Sequence, residues 1–263
     1  MSGVRALLLA AGLGTRLQPL TNQWPKCLMP IGDRPLLEYW LEILWQLGIR
    51  KVMVNLHYLP EVVQDFLSRP CFQGWVHSVK ETELLGTAGT LRANADFFRG
   101  STVLLVHADN WCQCQFKDFM NYYRYHRPQK TLMTMMTFDT DVPKTCGIVE
   151  TNSQGIVQAI HEKVSSPPAT RANAAVYLLE PHVLNWLEQH SDVTDFSTQV
   201  LPYYLGRIAS WHNTQIHRDI GTLKTLQQAQ LDPKPEPIWD ETDDWHQLFL
   251  DHPIRHNLRA DVT

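Results

Sequence analysis

Apolar runs of strand length alternate with segments of helical period along the first half of the chain. Val4 to Ala10 reads as a buried strand, and a turn bearing Gly12 and Gly14 follows it. Leu37, Trp40, Leu41 and Leu44 recur at helical spacing and stop at Gly48, which predicts an amphipathic helix; Lys51 to Leu56 is the next strand. Pro60 opens a helix through Phe66 and Leu67, Trp75 to Val79 is a strand, Thr90 to Phe98 is helical and Thr102 to Val106 is a strand again. Strands separated by helix-length segments predict an α/β fold, a mostly parallel sheet covered on both faces, with ligands beyond the carboxyl ends of the strands.

After residue 140 the texture changes. Gly147-Ile148-Val149-Glu150, the turn Asn152-Ser153-Gln154-Gly155 and Ile156 to His161 form a hairpin pattern, which predicts an antiparallel insertion. Ala172 to Leu179 is a further strand, and Pro181 to Gln189 a helix with proline in its first turn. From Asp232 onward Pro233, Pro235 and Pro237 interrupt any regular element, so the expected organisation is one catalytic domain over 1–231 and a tail of unassigned role over 232–263. No period of 20–50 residues is visible, so the sequence does not support a solenoid extension.

A hydrophobic content of 44% and a charged content of 19% suit a globular chain. The formal net charge of −4 provides no global positive field, so nucleic acid is not an expected partner. Small phosphorylated ligands need only local cations and oriented backbone N–H groups. Five scattered cysteines, Cys27, Cys71, Cys112, Cys114 and Cys146, suit a reducing compartment, and Cys112 and Cys114 lack a second ligand pair at metal spacing. Met1-Ser2-Gly3-Val4-Arg5 leads into a strand and a glycine turn rather than a cleavage region, and no apolar stretch approaches the roughly 20 residues of a membrane span. The expectation is a cytoplasmic protein with no membrane partner.

Four segments carry chemistry. Leu9-Ala10-Ala11-Gly12-Leu13-Gly14-Thr15-Arg16-Leu17-Gln18-Pro19-Leu20-Thr21, closed by Pro25-Lys26, ends a strand in glycines that permit close backbone approach, with Arg16 and Lys26 adding positive charge. It is a phosphate cradle, yet Leu17 breaks the dinucleotide fingerprint and no Gly-Lys-Ser/Thr is present. Glu83 to Thr90 holds Gly86-Thr87-Ala88-Gly89 between a strand and a helix, which by itself reads as a helix entry. Val103 to Val106 delivers Asp109 beyond a strand end, where an Asp is often a turn or cap residue. His217-Arg218-Asp219-Ile220-Gly221-Thr222 precedes a helix through Leu226 and Ala229, with Thr222 a plausible N-cap.

The first string resembles the nucleoside-triphosphate transferase family that makes nucleotide sugars, similar to mannose-1-phosphate guanylyltransferases, and matches its opening signature at every position. The resemblance spans roughly residues 4 to 230. It implies a Rossmann-like three-layer α/β/α fold with an antiparallel sugar-side insertion. It implies that Leu9, Ala10, Ala11, Gly12, Gly14 and Thr15 meet the nucleotide, that Arg16 and Lys26 are catalytic, and that Gly86, Thr87 and Gly89 approach the base. Asp109 and Asp219 correspond to the carboxylates that hold Mg²⁺, a hard ion that keeps several waters. Gly147, Glu162 and Asn173 correspond to sugar contacts and Lys163 to the sugar-phosphate contact, although a hairpin rim explains these four almost as well.

Departures gather on that side: Cys146 stands where an aromatic is common, Val164 where Pro is usual, Ala175 where Gly is usual, and Ala108 precedes Asp109 in place of Gly. The expected substrates are a nucleoside triphosphate, GTP favoured by Gly86-Thr87-Ala88-Gly89, and a sugar 1-phosphate, mannose or a related hexose or heptose. UTP or dTTP, a phosphocholine cytidylyltransferase built around nine tryptophans, and a non-catalytic regulatory relative are the alternatives. The helical spacing of Trp40 favours core packing over an aromatic cage. Oligomeric state is not legible.

Overall fold

In a computed structural model, residues 3–239 and 243–255 are described. The readings at Met1 and Ser2, and those parts of the tail at 240–242 and 256–263, lie outside the described residues. In chain order the elements are β1 (Val4–Leu9), β2 (Pro30–Ile31), β3 (Arg34–Pro35), α1 (Leu36–Gln46), β4 (Val52–Leu56), α2 (Pro60–Leu67), β5 (Val76–Lys80), α3 (Thr87–Ala93) and α4 (Ala95–Phe98). There follow β6 (Thr102–His107), β7 (Asn110–Cys112), α5 (Phe116–Asn121), β8 (Met133–Asp139), β9 (Gly147–Thr151), β10 (Val157–Glu162), β11 (Arg171–Leu179) and α6 (Pro181–Glu188). The last are α7 (Leu201–Tyr203), β12 (Ile208–His212), β13 (His217–Asp219), α8 (Leu223–Leu231) and α9 (Asp244–Leu250).

The main sheet runs β10-β9-β11-β6-β1-β4-β5, with β8 joined to β11 and β12 to β8. It is the expected mixed α/β sheet with helices on both sides. β4 pairs with β5, and β12 with β8, in parallel. β11 runs antiparallel to β6, β8 and β9, and β9 and β10 form the antiparallel hairpin. Burial explains which strands read clearly. β4 and the first five residues of β6 are wholly buried, and they read as near-continuous apolar runs in which Asn55 and Thr102 are the polar members. At the sheet edge β5 (Val-His-Ser-Val-Lys) leaves polar residues in solvent.

The described residues divide into two compact units. One comprises residues 3–7, 85–106 and 113–217 and holds the hairpin, β8, β11 and β12. Its centre is β11, whose Ala172, Ala174, Val176, Tyr177 and Leu178 are fully buried. The other comprises residues 8–84, 107–112 and 218–255. Its core includes α1, whose Leu37, Trp40, Leu41 and Leu44 are buried as the helical spacing predicts. Burying each such side chain contributes about 1.5–3 kcal/mol. Trp40 is a core residue rather than part of a cage, and its indole N–H donates to the carbonyl of Asn110 at 2.9 Å.

The tail, structureless in the sequence pattern, carries α9. Asp243 caps this helix by accepting from the backbone N–H of His246, and also accepts from Arg69 Nε at 2.7 Å. Trp245 and Phe249 stack on each other at 5.3 Å, and Trp24 meets both of them and His252. Ahead of α9, the Pro235 carbonyl accepts from Arg34 and the Ile238 N–H donates to Glu42.

Candidate active site

The cradle is assembled by short-range folding of the signature itself. After β1 the chain makes single turns over Thr15–Leu17, Leu20–Asn22 and Lys26–Leu28, which return Lys26 to the end of the strand. Gly14 adopts φ +65°, and a Cβ there would lie 2.8 Å from Thr21 Cγ2 and 3.3 Å from Lys26 Cβ. The Thr21 hydroxyl donates to the Gly14 carbonyl at 2.9 Å. Glycine is therefore required where the backs of Thr21 and Lys26 converge. Gly12 differs: a Cβ there would meet nothing within 4 Å. Leu9, Ala10 and Ala11 are buried beneath the turn, and Gly12, Thr15 and Arg16 are exposed.

Three further contacts fix the frame. The Ala108 N–H donates to the Leu9 carbonyl at 3.0 Å, which ties the loop carrying Asp109 to the end of β1. The Ala10 N–H donates to Asn55 Oδ1 at 2.8 Å, and Asn55 Nδ2 donates to Glu81 at 3.1 Å. Neither Asn55 nor Glu81 belongs to the sequence-derived site. Asn55 does carry a sequence signal, a polar residue near the end of an apolar strand.

Lys26 is the centre of the charge cluster. Its ammonium donates to Asp109 Oδ2 at 2.8 Å and to Asp219 Oδ1 at 2.7 Å, and Arg16 Nη2 donates to Asp219 Oδ2 at 2.8 Å. The Lys26 side chain is 6% exposed, against 36% for Asp109, 47% for Asp219 and 63% for Arg16. Burial alone would lower the Lys26 pKa, but the two carboxylates outweigh it and hold the pKa above the ordinary lysine value. Burial would raise Asp219, yet Lys26 and Arg16 hold it below the ordinary carboxylate value. Lys26 thus stays cationic and Asp219 anionic through the neutral range.

Asp219 ends β13, and the residues after it are shaped around the ion pairs. A Cβ on Gly221 would lie 2.6 Å from Arg16 Nη2 and 2.9 Å from Asp219 Oδ1, so glycine leaves room for the Arg16–Asp219 pair. Thr222 caps α8 as expected, in a reciprocal box with Thr225. Gly221 is thus a site residue beyond those the sequence predicts, although it lies within the same motif.

In the other unit Gly86, Thr87 and Gly89 form the entry to α3, with structural contacts of their own. Gly86 has φ +76°, and a Cβ there would lie 2.5 Å from the Thr194 carbonyl. That carbonyl accepts from the N–H groups of Ala88 and Gly89, and the Thr87 hydroxyl accepts from the Phe196 N–H at 2.7 Å.

Of the residues expected to meet the acceptor, Gly147, Glu162 and Asn173 lie on β9, β10 and β11, and Lys163 follows the end of β10. Gly147 faces Glu162 across the hairpin, and a Cβ on Gly147 would lie 2.5 Å from Glu162 Oε2. Lys163, at φ 49°, lies 3.5 Å from the Glu162 carboxylate through its ammonium. Asn173 holds a bulge: Oδ1 accepts from the Ala175 N–H at 2.9 Å and Nδ2 donates to the Tyr177 hydroxyl at 2.6 Å. Ala175 sits there at φ 55°, in the left-handed region, which explains why glycine is usual at this position.

Strand ends thus bring together a glycine cradle, a buried lysine and two carboxylates. The chain belongs to the nucleotidyl transferase family, whose model matches residues 5–234. A mannose-1-phosphate guanylyltransferase from Mycobacterium tuberculosis is 28% identical over 234 residues, covering 87% of this chain and 64% of that protein. Mannose-1-phosphate guanylyltransferase 1 from Arabidopsis thaliana is 30% identical over 191 residues, covering 70% of this chain and 52% of its own length. The chain thus spans about half to two thirds of these relatives. A solved Bacillus anthracis structure, assigned as a glucose-1-phosphate thymidylyltransferase, superposes with a TM-score of 0.77 at 21% identity, covering 87% of this chain and 94% of that one. That likeness concerns the fold. Among the described residues no helix is long and apolar enough to cross a membrane.

Proposed function

We propose that the protein transfers a nucleoside monophosphate from a nucleoside triphosphate, GTP by preference, to mannose 1-phosphate or a related hexose or heptose 1-phosphate, releasing pyrophosphate. The observation that carries the reading is the buried Lys26 ammonium, bonded to both Asp109 and Asp219 beside the cradle of residues 9–15. The guanylyltransferase relatives and the Gly86-Thr87-Ala88-Gly89 turn support the choice of base and sugar.

Without substrate, two cations and two carboxylates neutralise one another. An incoming triphosphate competes with Asp109 and Asp219 for Lys26 and Arg16. Lys26 then offers a fixed ammonium to the phosphate oxygens, and Arg16, on a more exposed stem, adds a second cation. Both act chiefly by position, since the acceptor phosphate is already largely ionised near neutral pH with its second pKa of about 6. Two carboxylates converging on one cation, with no third His, Cys, Asp or Glu ligand grouped among the described residues, suit Mg²⁺ completed by water and substrate oxygens rather than an all-protein cage. When bound by Asp109 and Asp219, Mg²⁺ would supply charge neutralisation at the triphosphate.

Pyrophosphate release, measured for ATP, GTP, CTP and UTP against a panel of sugar 1-phosphates and phosphocholine, tests the proposal. GTP with a hexose or heptose 1-phosphate is expected to give the highest kcat/KM. Release no faster than that of an Asp109→Ala control for every pair would overturn it.

A further inference from the structure

Asp109 and Asp219 are far apart in sequence, and each is held by a short strand. Asp109 immediately precedes β7, Asp219 ends β13, and β7 and β13 pair as a separate two-stranded sheet. So short a ribbon fixes its own geometry poorly. A third carboxylate bridges it. Asp232, the first residue past α8, is buried, and its Oδ2 accepts from Trp111 Nε1 of β7 at 3.0 Å. The same oxygen accepts from Arg218 Nε of β13 at 2.7 Å, and Oδ1 accepts from Arg218 Nη2 at 3.0 Å.

Both donors are themselves well placed. Trp111 is 1% exposed and packs edge-on against Tyr39 at 4.8 Å. Arg218 is next to Asp219 in sequence, and Trp111 is two residues beyond Asp109. The capped α8 carries the chain from Gly221 back to Asp232, so the bridge closes a loop around the carboxylate pair.

We infer that Asp232 is a positioning residue that sets the separation of Asp109 and Asp219 for a divalent cation. The inference rests on the proposal that these two residues hold the ion. Three N–H donors converge on Asp232, and only an acceptor-only group satisfies all of them. Asparagine keeps the shape but turns an NH₂ toward at least one donor.

Mn²⁺ binding to the free protein, read from loss of the free-ion electron paramagnetic resonance signal, tests this without turnover. Thermal melts run alongside establish that each variant is folded. Asp232→Asn is expected to weaken Mn²⁺ binding about 10-fold or more, the scale for residues that orient metal ligands. It should likewise raise the Mg²⁺ concentration for half-maximal turnover, with kcat recovering at saturating Mg²⁺. Trp111→Phe, which keeps the ring and removes the donor, should produce a smaller shift in the same direction and serves if Asp232→Asn does not fold. A role confined to ending α8 would lower the melting temperature and leave Mn²⁺ affinity unchanged. Mn²⁺ binding within twofold of wild type in folded variants overturns the inference. Wild-type binding that Asp109→Asn leaves intact overturns the underlying metal reading instead.

Discussion

Replacing Lys26 with methionine removes one ammonium and little volume, and the structure fixes how the consequences divide. Two charge-assisted hydrogen bonds are lost, at 2.7 and 2.8 Å. Each such bond contributes about 1.5–3 kcal/mol when fully buried. Both carboxylates are more than a third exposed, however, so water replaces much of the lost partner, and the variant no longer desolvates an ammonium. The expected total is about 1–3 kcal/mol, or a melting temperature lower by roughly 2–10 °C. From an ordinary stability of about 5–15 kcal/mol, more than about nine tenths of the protein remains folded at 25 °C. Turnover, by contrast, should fall by about 10²–10³, the value of one preorganised charge at a reacting phosphate. The two effects are separable because the first leaves too little unfolded protein to account for the second.

The pH dependence provides a check on sign. Lys26 has a folded pKa above its unfolded value, so its contribution is complete below the unfolded pKa and is lost as pH rises through the folded one. Asp219 has a folded pKa below its unfolded value, so its contribution is complete above the unfolded pKa and is lost as pH falls through the folded one. The stability difference between wild type and variant should therefore be flat from about pH 5 to 9 and shrink outside that window. Urea titrations at several pH values and pyrophosphate release at pH 7.5 measure the two quantities. A folded variant turning over within about threefold of wild type would refute the role of Lys26.

Other substitutions probe other parts of the site. Gly221→Ala places a methyl group against Arg16 and Asp219; kcat/KM for the triphosphate should fall roughly 10–100-fold with a near-native circular dichroism melt, and unchanged kinetics would remove Arg16 from the mechanism. Ala175→Gly relieves a left-handed residue of about 1–2 kcal/mol against about 0.4–1 kcal/mol of added unfolded-chain freedom. A urea midpoint higher than wild type is expected, and a clearly lower one would refute the strain. Cys27 is buried, and burial with the nearby Asp109 charge pushes its thiol up to about 12; iodoacetamide at pH 8 should leave it unmodified in native protein, and labelling would contradict its placement.

The half of the fold that reads clearly in sequence is the half where one physical signal dominates. β1, β4 and β6 are buried runs closed by turns, and α1 has a buried stripe long enough for its period to show. The elements left unread lack such a signal. α9 spans seven residues after three prolines, and its stripe of Trp245, His246 and Phe249 covers barely one turn, too short for a period to show. β12 (Ile-Ala-Ser-Trp-His) gains its identity from pairing with β8 rather than from alternation.

The site divides along similar lines. Residues 9–26 fold locally, so Gly14, Thr21 and Lys26 are specified by contacts within the signature and are legible there. Asp109 and Asp219 each show a local sign, a carboxylate closing an apolar strand or preceding a capped helix. Their convergence on Lys26 joins positions 83 and 193 apart, and it depends on strand order rather than on any neighbour in sequence. Asp232 has no local sign, because its partners Trp111 and Arg218 are brought to it only by the pairing of β7 with β13. The acceptor side is harder still, since its shape depends on Lys163 and Ala175 in left-handed backbone, beside or at positions where this chain departs from its family. A triphosphate is the same group whatever the acceptor, so the cradle can match at every signature position. In the proposed function sugar recognition falls to the hairpin and bulge, where the backbone path rests on single residues such as Lys163 and Ala175.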